Sequence, residues 1–195
     1  MKFDKIDKNE IDNKKTNFWD SISFTLIVLA IILPIRFFIA KPFIVDGLSM
    51  FPTFNSWHYL IVDQISYRFE NPSRGDVIVF RYPLDPSRFF IKRVIGLPGE
   101  TVILKDGKTI IKNKEYPDGF TLKEPFVSPD RKSYNSLKTV LNKDEYFVMG
   151  DNRINSSDSR RWGPVPRKFI VGRAFVRLFP FTKIDLFPGE NNYKQ

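Results

Sequence analysis

Ser49 stands in the stretch VDGLSMFPTF, residues 45–54, two residues after Gly47 and three before Pro52. A serine hydroxyl becomes a nucleophile only when a neighbour takes its proton. Two side chains are candidates. His58, the single histidine of the chain, lies nine residues on in NSWHYL; its plain reading is a hydrogen-bonded or exposed residue near a turn. Lys92 lies in RFFIKRVIGLPGE, flanked by Phe90, Ile91, Val94 and Ile95. A free lysine amine has a pKa near 10.4 and is almost wholly protonated at neutral pH. Apolar burial disfavours the charged form, and a drop of about three units needs roughly 4 kcal/mol. Strand alternation puts Phe90 and Val94 on the face of Lys92, with Ile91 and Arg93 on the other. An edge-strand lysine facing water is the competing reading.

A third stretch, MGDNRINSSDSRRWGPVP at 149–166, packs Asp, Asn, Arg and Ser side chains after an apolar run. Such residues bond backbone and one another and so fix a loop. That holds equally for an elaborate turn without chemistry.

Composition narrows the choice. With no cysteine in 195 residues, a thiol nucleophile, a disulfide framework and Cys-based zinc sites are excluded. One histidine excludes a His-rich metal site, and a Ser-His-Asp triad would have to use His58. The net charge of +9 resides almost wholly after residue 40. It admits nucleic acid or an anionic surface as a partner but does not select either.

The elements that must position these residues read as short strands. PFIVD, YLIVDQI, GDVIVFRY, FFIKRVIGL, ETVIL, KTIIK, EYFVMGD and FIVGRAFVRLF are rich in β-branched and aromatic residues and punctuated by Gly, Pro, Asn and Asp. Apart from a turn of helix near QISYRF, no long helical period follows residue 41. The expectation is a mostly β domain over 41–195, with a polar, turn-rich insertion or small lobe at about 105–145 whose KDGK reads as a hairpin turn. The final GENNYKQ reads as frayed.

Before this domain lies NFWDSISFTLIVLAIILPIRFFIAKPF. Its uncharged run, Ser21–Ile35, is shorter than the ~20 residues a membrane span needs, but continuing through Arg36 to Ala40 supplies them. Pro34 would kink the end, Arg36 would snorkel, and Trp19, Phe37 and Phe38 suit interfaces. The segment is expected to be an uncleaved transmembrane anchor over 18–40, after a cytoplasmic tail over 1–17. Lys14 and Lys15 favour that orientation, which puts the domain outside the cytoplasm. The alternative is a helix buried in a protein core.

Taken together, these stretches resemble the type I signal peptidases, membrane-bound serine endopeptidases that remove signal peptides. GLSMFPT resembles the nucleophile motif, GDVIVFRYP the strand after it, IKRVIGLPGE the motif of the general-base lysine, and GDNRINSSDSRRWG the last motif, all in the family's order. The middle lobe and WGPVPRKFIVGRAFVRLFP are most similar to the cyanobacterial and plastid branch. The resemblance implies an antiparallel-sheet signal peptidase fold with a small inserted lobe, preceded by one transmembrane helix. It implies Ser49 as nucleophile, Lys92 as general base, Ser156 as the hydroxyl orienting the lysine, and Asp158 with Arg160 as a supporting pair. Gly150, Asp151, Asn152 and Arg153 open the last motif in structural roles; Met50 and Pro52 shape the turn.

At two positions the chain departs from the pattern. Gly47 stands where some members carry a serine that helps bind the oxyanion, and Ile154 stands where many have a polar residue. The implied partners are preproteins with small residues before the cleavage site and a lipid bilayer, with no nucleic acid, metal or cofactor. The implied place is the cell membrane, single-pass, or alternatively the thylakoid membrane. Phe51, Phe54 and Trp57 would rest on lipid or pack in the core. Two other readings compete: a self-cleaving regulator with the same dyad, for which the N-terminal tail is too short to hold a DNA-binding domain, and a basic β-domain that binds without catalysis.

Overall fold

The structure, a computed structural model, describes residues 8–34, 40–131, 136–191 and 193. It forms two units, Met1–Ile39 and Ala40–Gln195.

In the first, helix α1 spans Lys8–Pro34. Its uncharged part from Ser21 onward is about 21 Å long at 1.5 Å per residue, against a hydrocarbon core of ~30 Å. The helix ends at Pro34, and Ala40 already belongs to a strand, paired with Asp63. Among the described residues no helix is long and apolar enough to cross a membrane. This corrects the transmembrane helix expected over 18–40, and with it the single-pass cell-membrane placement and the extracytoplasmic side derived from it. Arg36, Phe37 and Phe38, which were to complete the span, lie outside the described residues. Nor is α1 a buried core helix, since Trp19, Phe24 and Ile27 are exposed.

The second unit is antiparallel β-structure. Strands β1 (Ala40–Ile44) and β2 (Tyr59–Asp63) pair with each other. Helix α2 (Ser66–Phe69) follows, then β3 (Val77–Tyr82) and the long β4 (Asp85–Gly96). Next come β5 (Thr101–Lys105), β6 (Lys108–Lys112), β7 (Phe120–Thr121) and β8 (Leu137–Val140). The chain closes with β9 (Glu145–Met149), α3 (Ser159–Trp162), β10 (Val165–Pro166), β11 (Ile170–Phe179) and β12 (Asp185–Leu186). The main sheet runs β1-β2-β11-β3-β4-β9-β10, with β12 on β11; a second sheet runs β7-β6-β5-β8. The mostly antiparallel fold with a small lobe is therefore as expected, and the helical turn near QISYRF is α2.

β4 organises the unit. Its register sets Lys92 opposite Ile78, and Arg93 opposite Val77 on one side and Met149 on the other. On one face Val94 packs with Ile78, Phe80 and Val148. At its end Ile95 joins Phe147 and Met149 against Val102 and Ile111 of the small sheet and Leu141 just after it. A third cluster, Val45, Met50, Phe54, Leu60 and Val77, anchors the segment carrying Ser49. Fully burying such side chains is worth about 1.5–3 kcal/mol each, so both flanks of Ser49 are fixed by the core. The C-terminal segment expected to fray is held as far as Tyr193, whose hydroxyl donates to the Lys123 carbonyl.

Candidate active site

Ser49 sits on a turn between β1 and β2. Phe51 N–H donates to the Leu48 carbonyl at 3.2 Å and Phe54 N–H to that of Met50 at 2.8 Å. Met50 is buried beneath it, and the Phe51–Pro52 peptide is cis. Gly47 has φ 95° and nothing within 4 Å of where a Cβ would be. The backbone conformation demands glycine there, while the space in front stays open. Phe54 is core and Trp57 is exposed.

Lys92 Nζ donates to Ser49 Oγ at 2.8 Å and to the Ile91 carbonyl at 2.8 Å. It lies 5.3 Å from the centre of the Phe90 ring, on the face that alternation assigns it. The side chain is buried, which corrects the water-facing reading. Burial pushes the amine down to about 8; Asp158 and Asp151 pull the other way and lose. His58 is elsewhere. Its Nδ1 accepts from Asn55 N–H at 3.4 Å, and burial, with Arg177 and Lys183, holds its pKa below the ordinary value.

The 150–160 loop grips the Ser49 backbone. Asn152 N–H donates to the Ser49 carbonyl at 3.0 Å and its side-chain amide to the Leu48 carbonyl at 3.1 Å. Gly150 is pressed between them: a Cβ there would lie 2.3 Å from the Ser49 carbonyl oxygen and 2.4 Å from Ser156 Oγ. Asp158 accepts from Gly150 N–H at 3.0 Å and pairs with Arg160 through two bonds of 2.7 and 2.8 Å. Burial alone would raise the Asp158 carboxyl; the Arg160 pair and the Gly150 N–H outweigh it and hold it low. Ser156 is buried; its hydroxyl helps hold the Asp158 carboxyl low and makes no hydrogen bond to Lys92. Ile154 faces solvent.

Three further contributors escaped the sequence reading: Arg93, Thr53 and Glu124. Arg93 binds Asp151 through two bonds of 2.8 and 2.7 Å, and Thr53 Oγ1 donates to the same carboxylate at 2.5 Å. Arg93 thus ties β4 to the turn of Ser49 through Asp151. Arg153 donates to the Gly150 carbonyl at 3.0 Å and pairs with Glu124 of the small lobe. For Arg93 a signal existed: a cation on the far face of an apolar strand needs a carboxylate, and Asp151 was on offer. For Thr53 and Glu124 there was none.

Ser49 and Lys92 lie in a cleft of about 570 Å³ walled by Phe43–Ser49 on one side and Arg88–Lys92 on the other. Among the described residues no group of three or more His, Cys, Asp or Glu side chains converges as metal ligands would.

A solved signal peptidase I from Enterococcus faecalis aligns with 53% of this chain and 97% of its own, at 31% identity and a TM-score of 0.45. The sequence model of the family "Signal peptidase, peptidase S26" matches residues 18–179. A probable signal peptidase I-1 of Synechocystis sp. is 37% identical over 171 residues, covering 84% of each chain. A signal peptidase I of Leptolyngbya laminosa is 43% identical over 167 residues, 81% of this chain and 77% of its own. On that family match and those relatives, the chain belongs to the type I signal peptidase family, peptidase S26, and is a serine endopeptidase.

Proposed function

We propose that this endopeptidase removes signal peptides from preproteins by acyl transfer, with Ser49 as nucleophile and Lys92 as general base. The observation that carries the reading is the 2.8 Å contact between Ser49 Oγ and an amine whose pKa burial lowers to about 8. At pH 7 such an amine is neutral in about one molecule in ten, against roughly three in ten thousand for a free lysine. Burial thus raises the supply of base a few hundred-fold.

Neutral Lys92 takes the hydroxyl proton as Ser49 Oγ bonds to the scissile carbonyl carbon. Ser49 N–H, which has no acceptor among the described residues, is free to donate to the oxyanion. Protonated Lys92 then gives its proton to the leaving amine as the C–N bond breaks. A water that Lys92 deprotonates attacks the ester and frees the acyl group. The walls of the cleft are extended segments bearing apolar groups such as Ile44, Val45 and Leu48, which suits an extended peptide with small apolar side chains beside the cut. Ser156, Asp158 and Arg160 belong to the support of this pair: Asp158 fixes Gly150, and Gly150 fixes the spacing between Ser49 and Ser156.

Cleavage of a purified preprotein by the full chain tests this. Ser49→Ala and Lys92→Ala should each reduce turnover by at least about 10³-fold while the circular dichroism of the fold is retained. Turnover within tenfold of the parent by either folded variant overturns the assignment.

A further inference from the structure

A second cavity, of about 320 Å³, lies apart from Ser49 and Lys92 and is lined by Lys41 of β1, Gln64, Arg68 of α2, Arg81 of β3 and Arg167, with Phe89 at its side. Among the described residues no Asp or Glu lines it. Elsewhere this chain neutralises its buried arginines with carboxylates: Arg74 with Glu100, Arg93 with Asp151, Arg153 with Glu124, Arg160 with Asp158. At this cavity the guanidinium groups are more open to water, with Arg81 exposed and Arg167 half-buried, and they meet carbonyls and rings instead of carboxylates. Arg167 donates to the carbonyls of Tyr67 and Glu70 and lies over the Tyr67 ring. Arg81 donates to the Pro86 carbonyl at 2.9 Å and lies 4.8 Å from the centre of the Phe89 ring. Carbonyls and ring faces orient a guanidinium but bring no full negative charge. Among the described residues neither of these arginines nor Lys41 has an ion-pair partner. Gln64 adds a donor, since its Nε2 is buried without a hydrogen-bond partner among the described residues.

We propose that this cavity is a binding site for a phosphate group, separate from the Ser49–Lys92 cleft and sharing Phe89 with it. Oriented guanidinium groups match phosphate oxygens in pairs, and lysine supplies a point charge beside them. The cations converge on one cavity instead of spreading along a stripe, which fits a single phosphate and not a nucleic-acid backbone. The phosphate has two sources of the same chemistry: a soluble phosphate or a phospholipid headgroup. Because Phe89 borders both cavities and packs edge-on against Phe43 at 5.3 Å, occupancy acts beside a wall of the cleft.

The test uses the full chain in two arms. One is calorimetric titration with inorganic phosphate, at ionic strength held constant with chloride. The other is co-sedimentation with phosphatidylcholine vesicles, with and without phosphatidylglycerol. Lys41→Gln/Arg81→Gln removes two charges from the cavity. Lys105→Gln/Lys138→Gln removes two exposed charges from the small sheet. The parent is expected to bind one phosphate per chain, or the anionic vesicles alone. The cavity variant should bind at least about tenfold more weakly, with the small-sheet variant within twofold of the parent. Saturable phosphate binding assigns a soluble source; binding only to anionic vesicles assigns the headgroup. Equal losses in both variants, no loss in the cavity variant, or no binding by the parent in either arm overturns the site.

Discussion

Lys92 and Arg93 are neighbours on one strand, equally removed from water, at 4% and 0% exposure, and the two faces of β4 treat them oppositely. The Arg93 face answers the charge in full, with a two-pronged Asp151, the Gly75 and Gly189 carbonyls, and the Phe126 ring 4.0 Å away. The Lys92 face offers a hydroxyl, one carbonyl and the side of a ring. Burial without a carboxylate in contact destabilises an ammonium; burial against one retains the cation. A permanently charged guanidinium suits the first environment, and an amine able to shed its proton suits the second. A scaffold cation and an amine of lowered pKa are thus made from adjacent basic residues by what each face presents.

Lys92→Arg strikes this contrast hardest. It keeps a cation in the site but removes the ability to deprotonate. Preprotein turnover is expected to fall by at least about 10³-fold, and activity within tenfold of the parent would show that neutrality of residue 92 is irrelevant.

On the opposite face, Arg93→Met leaves Asp151 buried without its countercharge. The expected cost is about 3–5 kcal/mol in denaturant unfolding. Turnover should fall too, because Asp151 also holds Thr53 beside the turn of Ser49. A loss under 1 kcal/mol would mean that the pair is not the strut described above.

Lys92→Met should do the reverse. The native amine is lowered from 10.5 to about 8, so between those values the unfolded chain binds more protons than the native one and stability rises with pH. Below about 8 the native state carries the full penalty, on the order of 3 kcal/mol from the size of the shift. The Met variant should be more stable than the parent at pH 7 by about 1–3 kcal/mol, with the gain shrinking as pH climbs through the window from 8 to 10.5. Wild-type kcat/KM should rise with pH through the same ionisation near 8. A stability difference flat across the window would break the link between burial and base.

How much of this was readable follows the range of each signal. Local pattern found the strands, α2 and the faces of Lys92 and Arg93, because alternation is a property of a few neighbouring residues. Four ordered motifs brought Ser49, Lys92 and the 150–160 loop into one reading across a hundred residues. The membrane span was misread because hydropathy counts Arg36–Ala40 as apolar length, whereas Ala40 is engaged in a strand with Asp63, a long-range pairing no window sees. Thr53 and Glu124 were missed for the same reason: one hydroxyl and one carboxylate acquire a role only through partners distant in sequence, Asp151 and Arg153.

Glu124 gives the smallest and most discriminating effect. Its carboxylate, in the small lobe, accepts from Thr109 and pairs with Arg153, which in turn donates to the Gly150 carbonyl. Gly150 touches the Ser49 backbone, so the small lobe reaches the Ser49 turn through this ion pair. Glu124→Gln keeps the shape and part of the hydrogen bonding but removes the charge. If Glu124 positions the Ser49 side of the site, kcat should fall about three- to tenfold, with unfolding costing about 1 kcal/mol. The ionisation near 8 in the pH–rate profile should stay where it is, because the desolvation of Lys92 is untouched. A profile shifted together with kcat would place Glu124 in the electrostatics of the amine. The two faces of β4 would then be coupled through the small lobe instead of being set independently.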